Sequence, residues 1–123
     1  INMMLKFLLN DENILYNKQQ SKLDKGEIMH YRITKVYHEA GKREALAELL
    51  NEKKGMLKDF EGLKSVRMVG VSETATIAVS EYETEDQLKA VEPKFQEVMV
   101  DLMSLMTQPP EVHNGDVFWE HEN

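Results

Sequence analysis

A proline set inside an apolar helical stripe constrains this chain more than any other feature. In Thr84–Met106 (TEDQLKAVEPKFQEVMVDLMSLM) the apolar residues Leu88, Val91, Phe95, Val98, Met99, Leu102, Leu105 and Met106 recur at helical spacing. Pro93 interrupts the run near its start. A proline lacks the amide that the helix ladder needs, so it is tolerated only in the first turn of a helix. The stripe therefore predicts a short helix that hands over to a longer one at Glu92–Pro93. Thr84, with Gln87 three residues on, predicts a capping box at the start of the first.

The rest of the chain falls into place around this pair of helices. Tyr31–Tyr37 (YRITKVY) is rich in β-branched and aromatic residues and predicts a strand. Glu39–Ala40–Gly41 turns the chain, and Lys42–Phe60 carries Leu46, Leu49, Leu50, Leu57 and Phe60 as a first long helix, weakened in its last turns by Gly55. Glu61–Gly62 stops it. Leu63–Val71 and Ala75–Glu83 predict a hairpin closed near Ser72–Thr74. Beyond Pro109–Pro110, Val112–Glu120 predicts a last strand interrupted at Asn114–Gly115. The order strand, helix, strand, strand, helix, strand is that of an α+β, ferredoxin-like split β-α-β unit (βαββαβ).

At 123 residues the chain is one domain's worth. The domain is expected to begin at residue 29, with residues 1–28 as an N-terminal arm: Leu5, Phe7, Leu8 and Leu9 can make a docking helical turn, and Tyr16–Gly26 reads as polar linker. The net charge of −7 argues against nucleic acid or an anionic membrane as partner, because both reward clustered Lys and Arg. The absence of cysteine excludes disulfides, thiolate catalysis and zinc–sulfur sites and is compatible with a reducing cytosol, hence an expected cytoplasmic location. The most apolar run, Met3–Leu9, is far short of the roughly 20 residues that cross a bilayer. No nucleophile elbow or Gly-rich phosphate loop is present.

Five segments in order resemble the antibiotic biosynthesis monooxygenase family. They are His38–Glu39–Ala40–Gly41–Lys42–Arg43, Phe60–Glu61–Gly62–Leu63, Ser80–Asp86, Pro93–Lys94–Phe95–Gln96 and Pro109–Pro110–Glu111–Val112. The third of these leads into the second helix, and the fourth resembles the family's proline–x–phenylalanine–glutamine run. The likeness covers Met29 to Trp119. It implies a homodimer of the dimeric α+β barrel type and a small-molecule pocket between sheet and helices. It also implies oxygenation of aromatic or quinol-type compounds with no metal or flavin cofactor. The haem-degrading branch does not carry over, since its asparagine, tryptophan and histidine positions correspond here to Thr34, Lys89 and Met99.

Candidate site residues follow from chemistry and placement. His30 and His38 bracket the first strand and share a face with Arg32 and Thr34. A pocket base would suit either histidine, and so would the plain role of a half-exposed strand end. Tyr82 ends the third strand, where its hydroxyl faces a cavity or its ring packs the core or a dimer contact. His30, Arg32, His38 and Tyr82 are the candidate catalytic groups. Thr34, Lys89, Phe95 and Met99 are the candidate ligand-binding groups. The pocket is expected between the sheet and the second helix, lined by the Phe95–Met99 turn and the Arg32/Thr34 face. Eight methionines read as adaptable core filler, or as the lining of a flat apolar site. His113 and His121 lack zinc spacing with a third group, so no metal is expected. Trp119 is expected to cover a core or dimer seam. Ile33, Val69, Ile77 and Val79 are expected to divide between the two faces of their strands, leaving apolar surface on the uncovered face for a partner sheet. A non-catalytic small-molecule-binding or structural homodimer of the same fold is the alternative.

Overall fold

Strand β1 (His30–Tyr37) alternates buried and exposed side chains and lies inside the sheet, between β3 and β4. The computed structural model describes residues 28–123, so the expected N-terminal arm falls almost wholly outside the described residues. Helix α1 (Arg43–Glu52) and the single turn α2 (Lys54–Leu57) follow β1, then the hairpin β2 (Leu63–Ser72) and β3 (Ala75–Tyr82). Helices α3 (Glu85–Ala90) and α4 (Glu92–Leu102), a 3₁₀ turn at Met103–Leu105, and β4 (Glu111–Asp116) complete the chain. The sheet runs β2-β3-β1-β4 with every pairing antiparallel. This is the α+β split unit expected from the order of periods.

Three elements differ from expectation. The first helix breaks at Lys53, whose amide is shared between the carbonyls of Leu49 and Leu50. It then leaves through Gly62, whose φ of 84° suits a residue with no Cβ. The apolar stripe ends as regular helix at Leu102, and Met106 instead bridges His38. The last strand pairs straight through Asn114 and Gly115 and stops at Asp116, where β1 begins and the partner carbonyls run out after Met29.

The helix pair at Glu92–Pro93 forms as the stripe requires. Val91 is a turn residue between α3 and α4, and Pro93 occupies the first turn of α4. The Thr84 hydroxyl caps α3 by accepting from the Gln87 amide at 3.1 Å. The Gln87 side chain completes the cap by accepting from the Thr84 hydroxyl rather than reaching the backbone.

The helices cover one face of the sheet, and the core lies between them: Leu46, Phe60, Tyr82, Leu88, Val91, Val98, Met99 and Leu102. The other face is open. Pairing of Ile33 with Val79, and of Val69 with Ile77, places all four on that open face, against the expected division between faces. Ile33 and Val69 are 42% and 47% exposed. Trp119 is not a core residue; with Phe118 it stands exposed beside Tyr31 and Ile33 on the same side.

Candidate functional site

The inner face of β1 reads Arg32, Thr34, Val36, with His38 just past the strand's end, and all four are buried. Strand alternation puts them in one row, and the register adds Ser80, Ala78 and Thr76 from β3 beside them. Opposite this row lies the face of α4 that carries Phe95, Val98 and Met99. Between sheet and helix is a narrow cavity of about 50 Å³. Thr34, Ser80 and Tyr82 line its sheet side; Phe95, Met99 and Met68 are among its apolar walls.

Arg32 is the unusual member. Its guanidinium is almost wholly withdrawn from water yet lies among aromatic rings, 3.8 Å from the centroid of Phe95 and 5.9 Å from that of Tyr82. Such stacking favours a delocalised, weakly hydrated cation. Nε donates to Asn114 Oδ1 at 3.4 Å, and Nη2 donates to the Leu88 carbonyl and to Glu92, which is the counter-charge. Glu92 sits in the first turn of α4, where the proline break delivers it, and Gln96 Nε2 holds its other oxygen at 3.0 Å. Nη1 has no hydrogen-bond acceptor. A buried donor left unmet costs about 1–3 kcal/mol, and more on a charged group.

Two of Arg32's partners, Asn114 and Leu88, also line a second and larger space. This open cleft of about 460 Å³ lies at the end of the sheet, between α3 and β4. His30 and Lys89 belong to it, and Lys89 Nζ pairs with Glu85 at 2.9 Å on the exposed side of α3. The candidate residues thus divide. Thr34, Tyr82, Phe95 and Met99 surround the inner cavity, His30 and Lys89 the outer cleft, and Arg32 stands between the two. His38 is apart from both, at the far end of β1. Its Nδ1 donates to the Glu39 carbonyl at 2.9 Å, and its Nε2 is hydrogen-bonded to the Thr76 hydroxyl at 2.9 Å. Among the described residues no group of three or more His, Cys, Asp or Glu is placed to hold a metal.

Burial pushes the Tyr82 phenol above its ordinary pKa of 10.0; the Arg32 charge opposes the shift and the Glu92 charge adds to it. Glu92, Asn114 and Ser80 are site residues that sequence reasoning did not single out. An arginine in register with Thr34 and Val36, facing an apolar helix, was the available signal that an internal carboxylate had to exist.

No family model and no curated protein matches the chain. Solved structures do. A monooxygenase of Streptomyces coelicolor, in complex with nanaomycin D, is 14% identical with a TM-score of 0.63, over 79% of this chain and 94% of that one. A Bordetella bronchiseptica protein provisionally described as an antibiotic biosynthesis monooxygenase is 17% identical with a TM-score of 0.60, over 72% and 95%. A Nitrosomonas europaea protein of unknown function is 12% identical with a TM-score of 0.64, over 80% and 97%. The chain has the antibiotic biosynthesis monooxygenase fold. Among the described residues, no helix is long and apolar enough to cross a membrane.

Proposed function

We propose that the protein is a cofactor-independent monooxygenase that acts on a small electron-rich aromatic or quinol-type compound between its sheet and α4. The observation that carries this reading is the largely apolar cavity between sheet and α4, walled by Phe95, Val98 and Met99, with Thr34, Ser80 and Tyr82 among the residues on its sheet side. Such a site orients a flat ring by a few polar groups and excludes water from it. In the reaction a phenol is converted to a quinone. One atom of O₂ enters the ring, the other leaves as water, and the substrate supplies the electrons. The protein's part is to hold the ring and to stabilise its anion. Phe95, Met68 and Met99 must change rotamer to admit a ring, since the cavity as it stands has room for a water or two. The exposed apolar residues on the open sheet face support a homodimer formed sheet to sheet.

That small volume favours a second reading, a non-catalytic binding or structural homodimer of the same fold. Oxygen uptake with a panel of naphthols and hydroquinones separates the two. The enzyme reading expects uptake above the buffer rate for at least one compound, and a lower rate in Tyr82→Phe without loss of folding. Uptake at the buffer rate for every compound that binds would leave the binding module as the function.

A further inference from the structure

We propose that Arg32 is the recognition point for one anionic oxygen, carboxylate or phenolate, on an otherwise apolar aromatic ligand, and that Glu92 is the built-in counter-ion which this oxygen displaces. The inference rests on the inner cavity being the ligand site, and it adds the charge class of what binds there.

Three observations lead to it. Arg32 is 1% exposed, and its Nη1 is a buried donor with no acceptor, so the site holds one hydrogen bond in reserve. The same guanidinium lies behind Phe95 and near Tyr82, two walls of the cavity that Arg32 itself does not line, so a ligand ring that turns Phe95 aside brings an oxygen substituent to the cation. Glu92, the charge that balances Arg32, is itself 45% exposed. The pair is therefore buried on one side only. A carboxylate at the edge of water regains hydration when it lets go, whereas Arg32 cannot leave the interior without vacating its place among the rings. An anionic ligand thus exchanges for Glu92 at little electrostatic cost, and Gln96, already bonded to the other Glu92 oxygen, keeps the released carboxylate on α4. A neutral ligand gains no such exchange, because Arg32 would stay paired with Glu92.

The test is calorimetric binding of matched probes to the full chain: 4-ethylbenzoate, its neutral isostere 4-ethylbenzamide, and 4-nitrophenolate as the phenolate arm. Wild type should bind the two anions about ten- to a hundredfold more tightly than the amide, the scale of a charge-assisted hydrogen bond. Arg32→Met should abolish that preference while leaving amide binding in place. Glu92→Gln removes the competitor and should tighten anion binding severalfold with the amide unchanged. That gain of affinity is not expected of a merely structural ion pair, and it keeps the proposal testable if Arg32→Met fails to fold. Equal affinity for benzoate and benzamide, binding of neither, or anion binding weakened by Glu92→Gln would each overturn it. Binding is read without turnover, so charge selectivity with no oxygen uptake would sink the oxygenase reading alone, and uptake of neutral phenols without charge selectivity would sink this inference alone.

Discussion

Replacing Ile33 with Asp probes assembly more sharply than any change in the core. Ile33 lies on the open face of β1, opposite Val79 on one side and His113 on the other. Its 42% exposure is what a partner sheet has left to cover. Full burial of an isoleucine is worth about 1.5–3 kcal/mol, so the remaining fraction is worth roughly 0.6–1.3 kcal/mol per copy. A two-fold interface repeats each change, which doubles the loss to roughly 1.2–2.6 kcal/mol, or about eight- to eightyfold in dissociation constant. Desolvating two carboxylates at the seam adds to this, so the estimate is a floor. The monomer itself should lose about 1–2 kcal/mol, because the part of Ile33 already buried within one protomer is forfeited as well. Sedimentation equilibrium over a micromolar dilution series, with thermal melting as the control, reads both quantities. A wild-type chain that is monomeric at about 10 μM, or an Ile33→Asp dimer of unchanged affinity, would refute the reasoning.

Two further outcomes follow from particular residues. Gly62→Ala places a Cβ against the Gln87 side chain, 2.7 Å from its Cβ, at a φ of 84°, whereas at Gly41 a Cβ meets open space at a φ of 80°. Gly41→Ala should therefore cost about 1–2 kcal/mol by denaturant unfolding, the left-handed backbone penalty alone, and Gly62→Ala clearly more; equal losses would mean that Gln87 yields freely. Tyr82 is protonated in both folded and unfolded chains well below pH 10.0, and around that pH the unfolded chain ionises first, so stability falls as pH rises through 10.0 toward the raised folded value. Tyr82→Phe should lose less stability than wild type between about pH 8 and about pH 11, with the Tyr31 contribution, of the same sign, cancelling between the two proteins.

Elements set by local chemistry were legible in the sequence. The Pro93 break, the Thr84 cap and the alternation of β1 each follow from residues a few positions apart. Features set by register were not. Ile33 and Val69 share a face only because the β2–β3 pairing shifts between Leu63 and Ser65 and again between Gly70 and Ser72, and nothing in the side chains announces those shifts. β4 stops short of the expected Glu120 because its partner β1 begins at His30: the ladder ends at Asp116, and Val117 then donates only to the Met29 carbonyl just ahead of β1. In the site, Arg32 and Thr34 share a face by simple period-two counting. Glu92 lies 60 residues away from Arg32, and at a helix start its carboxylate reads equally well as a partner for the macrodipole. Side chains that face the helices are visible from periodicity; the charges that balance them wait on the tertiary fold.

The alternation of β1 carries a consequence for change by mutation. Even-numbered residues, Arg32 to Val36, face the helices, and odd-numbered ones, Tyr31 to Tyr37, face the open side of the sheet. Substitutions on the helix-covered face and substitutions on the open face therefore fall on interleaved, non-overlapping sets of codons, and each face can drift without dragging the other. The same arrangement makes length intolerable to alter. One residue inserted ahead of Arg32 in the strand would exchange the parity of every position after it, delivering the guanidinium to the open face and Ile33 to the helix-covered one. Point substitution is the open route for this strand, and insertion or deletion is closed.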